Sequence, residues 1–143
     1  MKKNKIRPLA LCVFRHQNKI LVSEGFDPTK NQTFYRPLGG GIEFGERSVE
    51  AARREIKEEL NAEVTDLKYL GTLENIFVFD GNPGHEIVQI YDGKFVNAEF
   101  YEKTEFFGYE EGDGKFKVLW KNLGEFNSKI PLYPDGLLEL LLK

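Results

Sequence analysis

Three glutamates near the middle of the chain are the residues best suited to chemistry. Glu55, Glu58 and Glu59 fall within residues 48–60, where the spacing of apolar residues predicts a helix. At about 100° per residue they lie on one side of the apolar stripe, spread over roughly another 100° of arc. Carboxylates this close repel one another, which raises their pKa values unless a cation neutralises them. The pattern indicates a divalent-metal site, and the competing interpretation is an ordinary charged helix surface.

The surroundings of this helix favour a site for magnesium beside a phosphate-bearing substrate. Arg54 lies about 40° around the helix from Glu58 and is placed to hold that carboxylate through an i,i+4 contact. A run of glycines at 39–41 precedes the helix and supplies backbone carbonyls and close access for a ligand. Ser48 is the predicted helix cap. The predicted buried stripe contains Val49, Ala52, Ile56 and Leu60.

The complete spacing of these residues resembles a known family signature. From Gly40 the chain has five residues, then Glu46, then seven residues, and then the segment 54–62, which reads REIKEELNA. This resembles the Nudix box, G-x5-E-x7-R-E-U-x-E-E-x-G-U, in which U is apolar. Asn61 replaces the last glycine, and since asparagine also adopts left-handed helix ends, we expect the turn to be preserved. Residues 35–40 also resemble the segment that usually precedes the Nudix box in this family.

The resemblance implies a fold, a reaction and a set of roles. It implies an α/β protein, a Nudix-like α/β/α sandwich with a mixed β-sheet, formed as one domain over residues 1–143. It also implies hydrolysis of a diphosphate linkage with Mg²⁺, for which Mn²⁺ is a substitute. The implied metal ligands are Glu58, Glu59, the Gly39 carbonyl and Glu55, with Glu55 alternatively the base. Arg54 would orient a carboxylate, whereas Gly40 and Glu46 would have structural roles.

Two further substrate-binding residues are predicted outside this segment. Arg36 is a candidate partner for a phosphate group, because arginine binds phosphate through its planar fork. Glu111 lies in the acidic, glycine-flanked segment 108–114, together with Glu110 and Asp113. Many members of the family add an acidic residue from a loop far beyond the box, and the alternative is that this segment is acidic only because it is solvated.

Composition restricts the partners. A formal charge of −3 and a pI near 5.5 argue against nucleic acid, which needs clustered basic residues. A short basic cluster at the start of the chain is interpreted as a solvated terminus and contains Lys2, Lys3, Lys5 and Arg7. The single Cys12 fits a reducing compartment, so a cytoplasmic protein without a membrane segment is predicted. A homodimer is left open.

The substrate is less well defined than the reaction. Around Ile76 the chain carries none of the family's markers for ADP-ribose or dinucleoside polyphosphates, which leaves nucleoside triphosphates or a nucleotide sugar. A nucleotide-binding sensor without activity is the alternative function, and the glutamates argue against it. An isoprenoid diphosphate isomerase is a third possibility on the same scaffold, but Cys12 lies in an apparent core strand rather than at a site.

The remaining pattern predicts alternating strands and turns with a short terminal helix. A first hairpin is predicted at 9–14 and 20–23, and a second at 69–79 and 86–95, joined by the turn-forming residues 80–84. Residues 33–35 and 116–120 are predicted strands, whereas 24–32 and 108–114 are predicted loops. Residues 137–142 are predicted to form the terminal helix.

Overall fold

The computed structural model describes residues 4–143, so Lys2 and Lys3 of the basic cluster lie outside the described residues. No helix in this range is long and apolar enough to cross a membrane. The strands are β1 (Ile6–His16), β2 (Lys19–Asp27), β3 (Gln32–Arg36), β4 (Leu38–Gly41), β5 (Val64–Phe79), β6 (Asn82–Phe95), β7 (Glu105–Glu110) and β8 (Gly114–Asn122). The helices are α1 (Ser48–Leu60) and α2 (Leu137–Leu141), with short 3₁₀ turns at Ala98–Tyr101 and Leu123–Glu125.

The strands form one mixed sheet in the order β5-β6-β1-β2-β8-β7, with β3 added to β2 and β4 added to β1. Among the pairs of these eight strands in residues 4–143, only β1–β6 is parallel. Strand β1 pairs with β2 at Arg15 and His16, but with β4 from Leu9 to Cys12. Because β4 takes the place of β2 along the first part of β1, strands β1 and β2 separate before Arg15.

The core lies on both faces of β1, whose central side chains alternate between two clusters. Leu9, Leu11 and Val13 pack with Leu137 and Leu141 of α2 on one face. Cys12 and Phe14 pack on the opposite face, in a cluster that contains Ile56 of α1. A helix therefore covers each face, which confirms the predicted α/β/α sandwich with a mixed sheet.

Two predicted loops are largely strand, so both predictions were wrong in extent. Strand β2 continues to Asp27 and pairs with β3, although Gly25 interrupts its apolar pattern. Strand β7 likewise continues to Glu110, although Gly108 lies within it. The second hairpin is also tighter than predicted, because only Asp80 and Gly81 separate β5 from β6, and both have positive φ.

Each of three strand glycines lies directly opposite a phenylalanine on the neighbouring strand. In each pair the aromatic ring lies over the glycine, closer than a Cβ atom at that position would allow. The pairs are Gly25 with Phe34, Gly84 with Phe77, and Gly108 with Phe116. The ring covers the backbone that the glycine leaves bare, which explains why these glycines are tolerated inside strands.

The start of α1 and its buried stripe differ in detail from the prediction. Arg47, rather than Ser48, is the N-cap, and its backbone N–H donates to Glu50 Oε1 at 2.9 Å. The hydroxyl of Ser48 is instead within 2.6 Å of Tyr91 Oη. Ala51, which was not predicted, is fully buried with Ala52 against Ala10 of β1, because small side chains let the helix approach the sheet closely. Val49 and Leu60 are only half-buried.

Helix α1 ends at Asn61 in the left-handed conformation, as predicted. Asn61 has φ 52° and ψ 42°, and its backbone N–H donates to the Lys57 carbonyl at 2.9 Å. We expect Asn61→Gly to leave the unfolding free energy unchanged or slightly raised, and Asn61→Ala to lower it by about 1 kcal/mol. Urea unfolding of the three proteins measures the difference. Equal stability of the alanine and glycine variants would contradict this account of the helix end.

Candidate active site

Arg54 is the centre of the polar network on α1. Its guanidinium binds Glu46 through two hydrogen bonds, from Nε to Oε2 at 2.8 Å and from Nη2 to Oε1 at 3.0 Å. Nη2 also donates to the Gly41 carbonyl at 2.9 Å, and Nη1 donates to Glu55 Oε1 at 2.9 Å. Glu58 lies farther away, at 3.3 Å. The hydrogen bonds from Arg54 lower the pKa of Glu46, so Arg54 holds the loop and the helix together through charged contacts.

Glu59 is a buried carboxylate with an unused acceptor. Only 9% of the residue is exposed, and its Oε1 atom has no hydrogen-bond partner within residues 4–143. Burial, together with the charges of Glu55 and Glu110, raises the pKa of Glu59 to about 8, although the backbone N–H of Gly39 opposes the rise. A buried oxygen without a donor is costly. Its position therefore fits a ligand for a cation.

Glu55 lies between Arg54 and the glycine run of β4. Burial raises the pKa of Glu55, and the contact with Arg54 opposes this rise. A Cβ atom added to Gly40 would lie 2.6 Å from the Glu55 carboxylate. The Glu55 carboxylate thus packs directly on the bare backbone of Gly40, so the glycine determines where the carboxylate lies.

This contact gives a prediction with a control in the same strand. Gly40→Ala is expected to displace Glu55, for which the Nudix resemblance implies a role as metal ligand, and to lower kcat/KM by about 10–100-fold, the usual cost of disturbing the support of such a ligand. Gly41→Ala is the control, because the nearest atom to a Cβ there is Arg7 Nη2 at 3.9 Å. Steady-state kinetics measures the effect, and thermal unfolding checks that both variants fold. Equal activity of the two variants would contradict the role given to Gly40.

Gly39 is required both by its backbone angle and by the space around it. Its φ is 148°, which disfavours other residues, and an added Cβ would collide with the Ala10 carbonyl oxygen. Gly39 pairs with Leu11 in the sheet, which fixes its position on the strand. The backbone of Gly39 is thereby held against the carboxylate of Glu59.

The acidic segment 108–114 brings two of its three acidic residues to the cavity, and Glu111 is not one of them. Glu111 is exposed in the turn and lies outside the cavity lining, whereas Glu110 and Asp113 line the cavity. The charge of Glu110 also contributes to the raised pKa values of Glu55 and Glu59. Because β7 continues to Glu110, that residue is held on the strand beside α1, and Glu111 is the first residue beyond it.

The donor set fits a hard divalent cation, although its side chains are not all turned toward one point. Among the described residues, 4–143, no three carboxylate, histidine or cysteine side chains form a ready-made metal cluster. The Glu58 side chain is 58% exposed and turned toward Arg54, so it has room to rotate. The unpaired Glu59 oxygen and its carboxylate neighbours provide the oxygen ligands that Mg²⁺ prefers.

A cavity of about 520 Å³ extends from Glu59 to an aromatic wall. Gly39, Glu59 and Glu110 line one end. The other end is aromatic and is lined by Phe34, Phe77, Phe79 and Tyr133. This volume is in the usual range for small-molecule sites. The cavity therefore has an acidic end, which suits a cation, and an aromatic end, which suits an organic group.

Buried Asp27 joins two turns at the rim of this cavity and was not predicted from the sequence. Its Oδ1 accepts from the Thr29 and Lys30 backbone N–H groups at 3.0 and 3.2 Å, and Oδ2 accepts from the Asp80 N–H at 3.2 Å. Burial pushes the pKa of Asp27 upward, but these hydrogen bonds outweigh it and lower the pKa. The carboxylate thus ties the β2–β3 turn to the β5–β6 turn.

Arg36 lines the cavity, and its acidic partner there is a residue that the sequence did not reveal. Arg36 Nη2 lies 3.5 Å from Glu86 Oε1, and Arg7 Nη1 lies 3.8 Å from Glu86 Oε2. Arg7 therefore belongs to β1 and the cavity, rather than to a frayed basic terminus. Asn75 and Glu86 are both buried and line the same cavity. Because these residues lie far apart in the sequence, no sequence pattern indicated that they meet.

The NUDIX domain family model matches residues 5–121 of the chain. The chain belongs to the NUDIX domain family. This confirms the family predicted from the spacing of the glutamates.

Two Nudix relatives carry functional names. The Bacillus subtilis (strain 168) protein named "Putative 8-oxo-dGTP diphosphatase YtkD" is 33% identical over 109 residues, which cover 76% of this chain and 65% of that protein. The NAD-capped RNA hydrolase NudC of Vibrio vulnificus (strain CMCP6) is 32% identical over 68 residues, 48% of this chain and 25% of that protein. The match thus spans less than two thirds of the first relative and a quarter of the second.

Solved structures of Nudix proteins share the fold. A MutT NUDIX hydrolase from Burkholderia pseudomallei aligns with a TM-score of 0.62 and 17% identity, covering 96% of this chain and 98% of that one. A NUDIX hydrolase from Nitrosomonas europaea aligns with a TM-score of 0.65 and 17% identity, covering 96% of this chain and 86% of that one. At this identity the likeness concerns the fold alone.

Proposed function

We propose that this Nudix protein is a magnesium-dependent hydrolase that cleaves a diphosphate linkage in a nucleoside diphosphate derivative. A nucleoside triphosphate is the first substrate class to test, and a nucleotide sugar is the second. The observation that carries the proposal is the buried Glu59 carboxylate, whose unpaired oxygen lies at the charged end of a cavity with an aromatic far wall. The name of the Bacillus relative, which refers to 8-oxo-dGTP, adds support for a nucleoside triphosphate.

The proposed roles follow from the position of each group. Glu58, Glu59, the Gly39 carbonyl and Glu55 would hold Mg²⁺. Bound there, Mg²⁺ would neutralise the carboxylates and polarise the phosphoryl oxygens of the substrate. Glu55, whose pKa is raised, is the alternative acceptor for the proton of the attacking water. Arg54 keeps Glu55 oriented, and Arg36 lines the same cavity and is a candidate phosphate partner.

Cys12 does not support the isomerase alternative. The residue is fully buried in β1, and burial raises its pKa, so the reactive thiolate is disfavoured. A buried, unreactive thiol remains consistent with the predicted cytoplasmic location. That location and a homodimer remain predictions.

The test is a hydrolysis screen of purified protein with magnesium. The panel contains nucleoside triphosphates including 8-oxo-dGTP, ADP-ribose, nucleotide sugars and dinucleoside polyphosphates, with detection of phosphate and pyrophosphate. We expect turnover of at least one nucleoside triphosphate, dependent on magnesium and lost in Glu58→Gln. Tight binding of a nucleotide without turnover of any panel member would contradict the hydrolase and support the sensor alternative.

A further inference from the structure

Glu86 is a buried carboxylate that lacks a short hydrogen bond. The residue is only 3% exposed and lines the cavity. Its contacts with Asn75 Nδ2, Arg36 Nη2 and Arg7 Nη1 measure 3.3, 3.5 and 3.8 Å. Charge-assisted hydrogen bonds usually close to about 2.7–2.9 Å. A buried carboxylate is stable only when its oxygens accept hydrogen bonds. Because the present contacts of Glu86 are long, its oxygens can still accept hydrogen bonds from donors that enter the cavity.

Asn75 holds Glu86 in place from the opposite strand. The two residues are direct cross-strand partners of β5 and β6. Asn75 Oδ1 accepts from the Asp135 backbone N–H at 3.1 Å, which orients its amide so that Nδ2 faces Glu86. Asn75 is 2% exposed. The carboxylate is therefore fixed by the sheet rather than carried on a flexible loop, as a specific recognition group should be.

The pairing of β1 separates this site from the proposed metal-binding end. Arg7 pairs with Glu86, whereas Leu11 pairs with Gly39. Four residues of strand correspond to about 13 Å along β1. In a nucleoside diphosphate derivative the sugar lies between the diphosphate and the base, so a site displaced along the strand from the metal-binding end fits the base. Phe77 and Phe79 line the cavity near Asn75 and offer apolar surfaces for a planar ring.

We propose that Glu86, held by Asn75 and flanked by Arg36, recognises the guanine base of a nucleotide. Guanine is the standard base that presents two adjacent N–H donors, N1–H and the 2-amino group, which match the two oxygens of a carboxylate. Its O6 acceptor lies next to N1–H and matches the Arg36 guanidinium, which in this arrangement contacts the base rather than a phosphate group. Adenine would instead place the lone pair of N1 against the carboxylate. This inference rests on the proposed function only in taking a nucleotide as the ligand.

Binding of nucleoside monophosphates tests the inference without any need for turnover. We expect titration calorimetry to give GMP an affinity about tenfold higher than IMP, which lacks the 2-amino group, and about a hundredfold higher than AMP. Equal affinities for GMP and AMP would overturn the proposal. Hydrolysis of nucleotides without guanine preference would leave the proposed function intact, whereas selective GMP binding without hydrolysis would leave only the guanine site.

The Glu86→Gln variant assigns the preference to this residue. The glutamine amide would direct N–H groups against the guanine donors, so we expect the GMP preference over IMP and AMP to disappear. Glu74→Gln is the matched control, because Glu74 is exposed on the same hairpin, and it should keep the preference. An equal loss of affinity for all three monophosphates in Glu86→Gln would indicate that Glu86 only positions Arg36. Thermal unfolding verifies that both variants are folded, and the comparison of monophosphates on the unmodified protein tests the proposal independently of either variant.

Discussion

Replacement of Glu59 by glutamine is expected to stabilise the metal-free protein at pH 8 while abolishing its activity. The pKa of Glu59 is about 8 in the folded protein and near 4.5 in the unfolded chain. Because the folded value is raised, the stability associated with protonated Glu59 is complete below pH 4.5 and is lost as the pH rises through 8. Glutamine cannot ionise, so it avoids a penalty of about 2–4 kcal/mol at pH 8.

Thermal unfolding between pH 5 and pH 9 in the presence of a chelator measures this effect. We expect Glu59→Gln to raise Tm by about 5–10 °C at pH 8 and by much less at pH 5, with kcat/KM lowered at least roughly 1,000-fold. Glu58→Gln is the control, because the Glu58 side chain is 58% exposed and its loss should hardly change Tm. A Tm that falls at pH 8, or rises equally at both pH values, would contradict a buried charge at position 59.

Replacement of Arg54 by lysine is expected to lower kcat/KM by about 100-fold even though the charge is kept. Lysine cannot make the two parallel bonds to Glu46 and also reach the Gly41 carbonyl and Glu55, all of which Arg54 contacts at 2.8–3.0 Å. The Glu55 carboxylate would lose its orientation. We also expect a lower Tm, because Glu46, only 16% exposed, would keep its charge with a poorer partner.

Arg53→Lys provides the matched control for Arg54→Lys on the same helix. Arg53 is exposed, and its Nη1 donates to the Val64 carbonyl at 2.7 Å, outside the acidic cluster. We expect this variant to retain nearly full activity in the same kinetic assay. If both substitutions reduced kcat/KM equally, the planar fork of Arg54 would not be the feature that matters.

The helix and its charged face were predictable because their signal is local. The period of the apolar residues predicted α1 with its C-terminal end at the correct residue, Leu60. The left-handed conformation of Asn61 followed from the intrinsic preference of asparagine. The burial of Glu59 was not predicted, because it depends on Gly39 and β7 packing against the helix. Periodicity places a side chain on a face but does not say what covers that face.

The recognition site around Glu86 could not be predicted, since its members meet only through the sheet. Arg7 and Glu86 become neighbours through the parallel pairing of β1 and β6, and no periodic pattern links residues so far apart in sequence. The extent of β2 and β7 was missed for a related reason. Gly25 and Gly108 resemble loop residues until the opposite phenylalanine is known.

The three phenylalanines that lie over glycines also form part of the cavity wall. A methyl group at Gly25, Gly84 or Gly108 would overlap the facing ring, so the ring, and with it this part of the cavity wall, would have to move. These three glycines therefore help to determine the width of the cavity, although Gly84 and Gly108 are not themselves part of its lining. Selectivity for bulky or slender substrates can change at these three positions while the acidic and basic groups stay where they are.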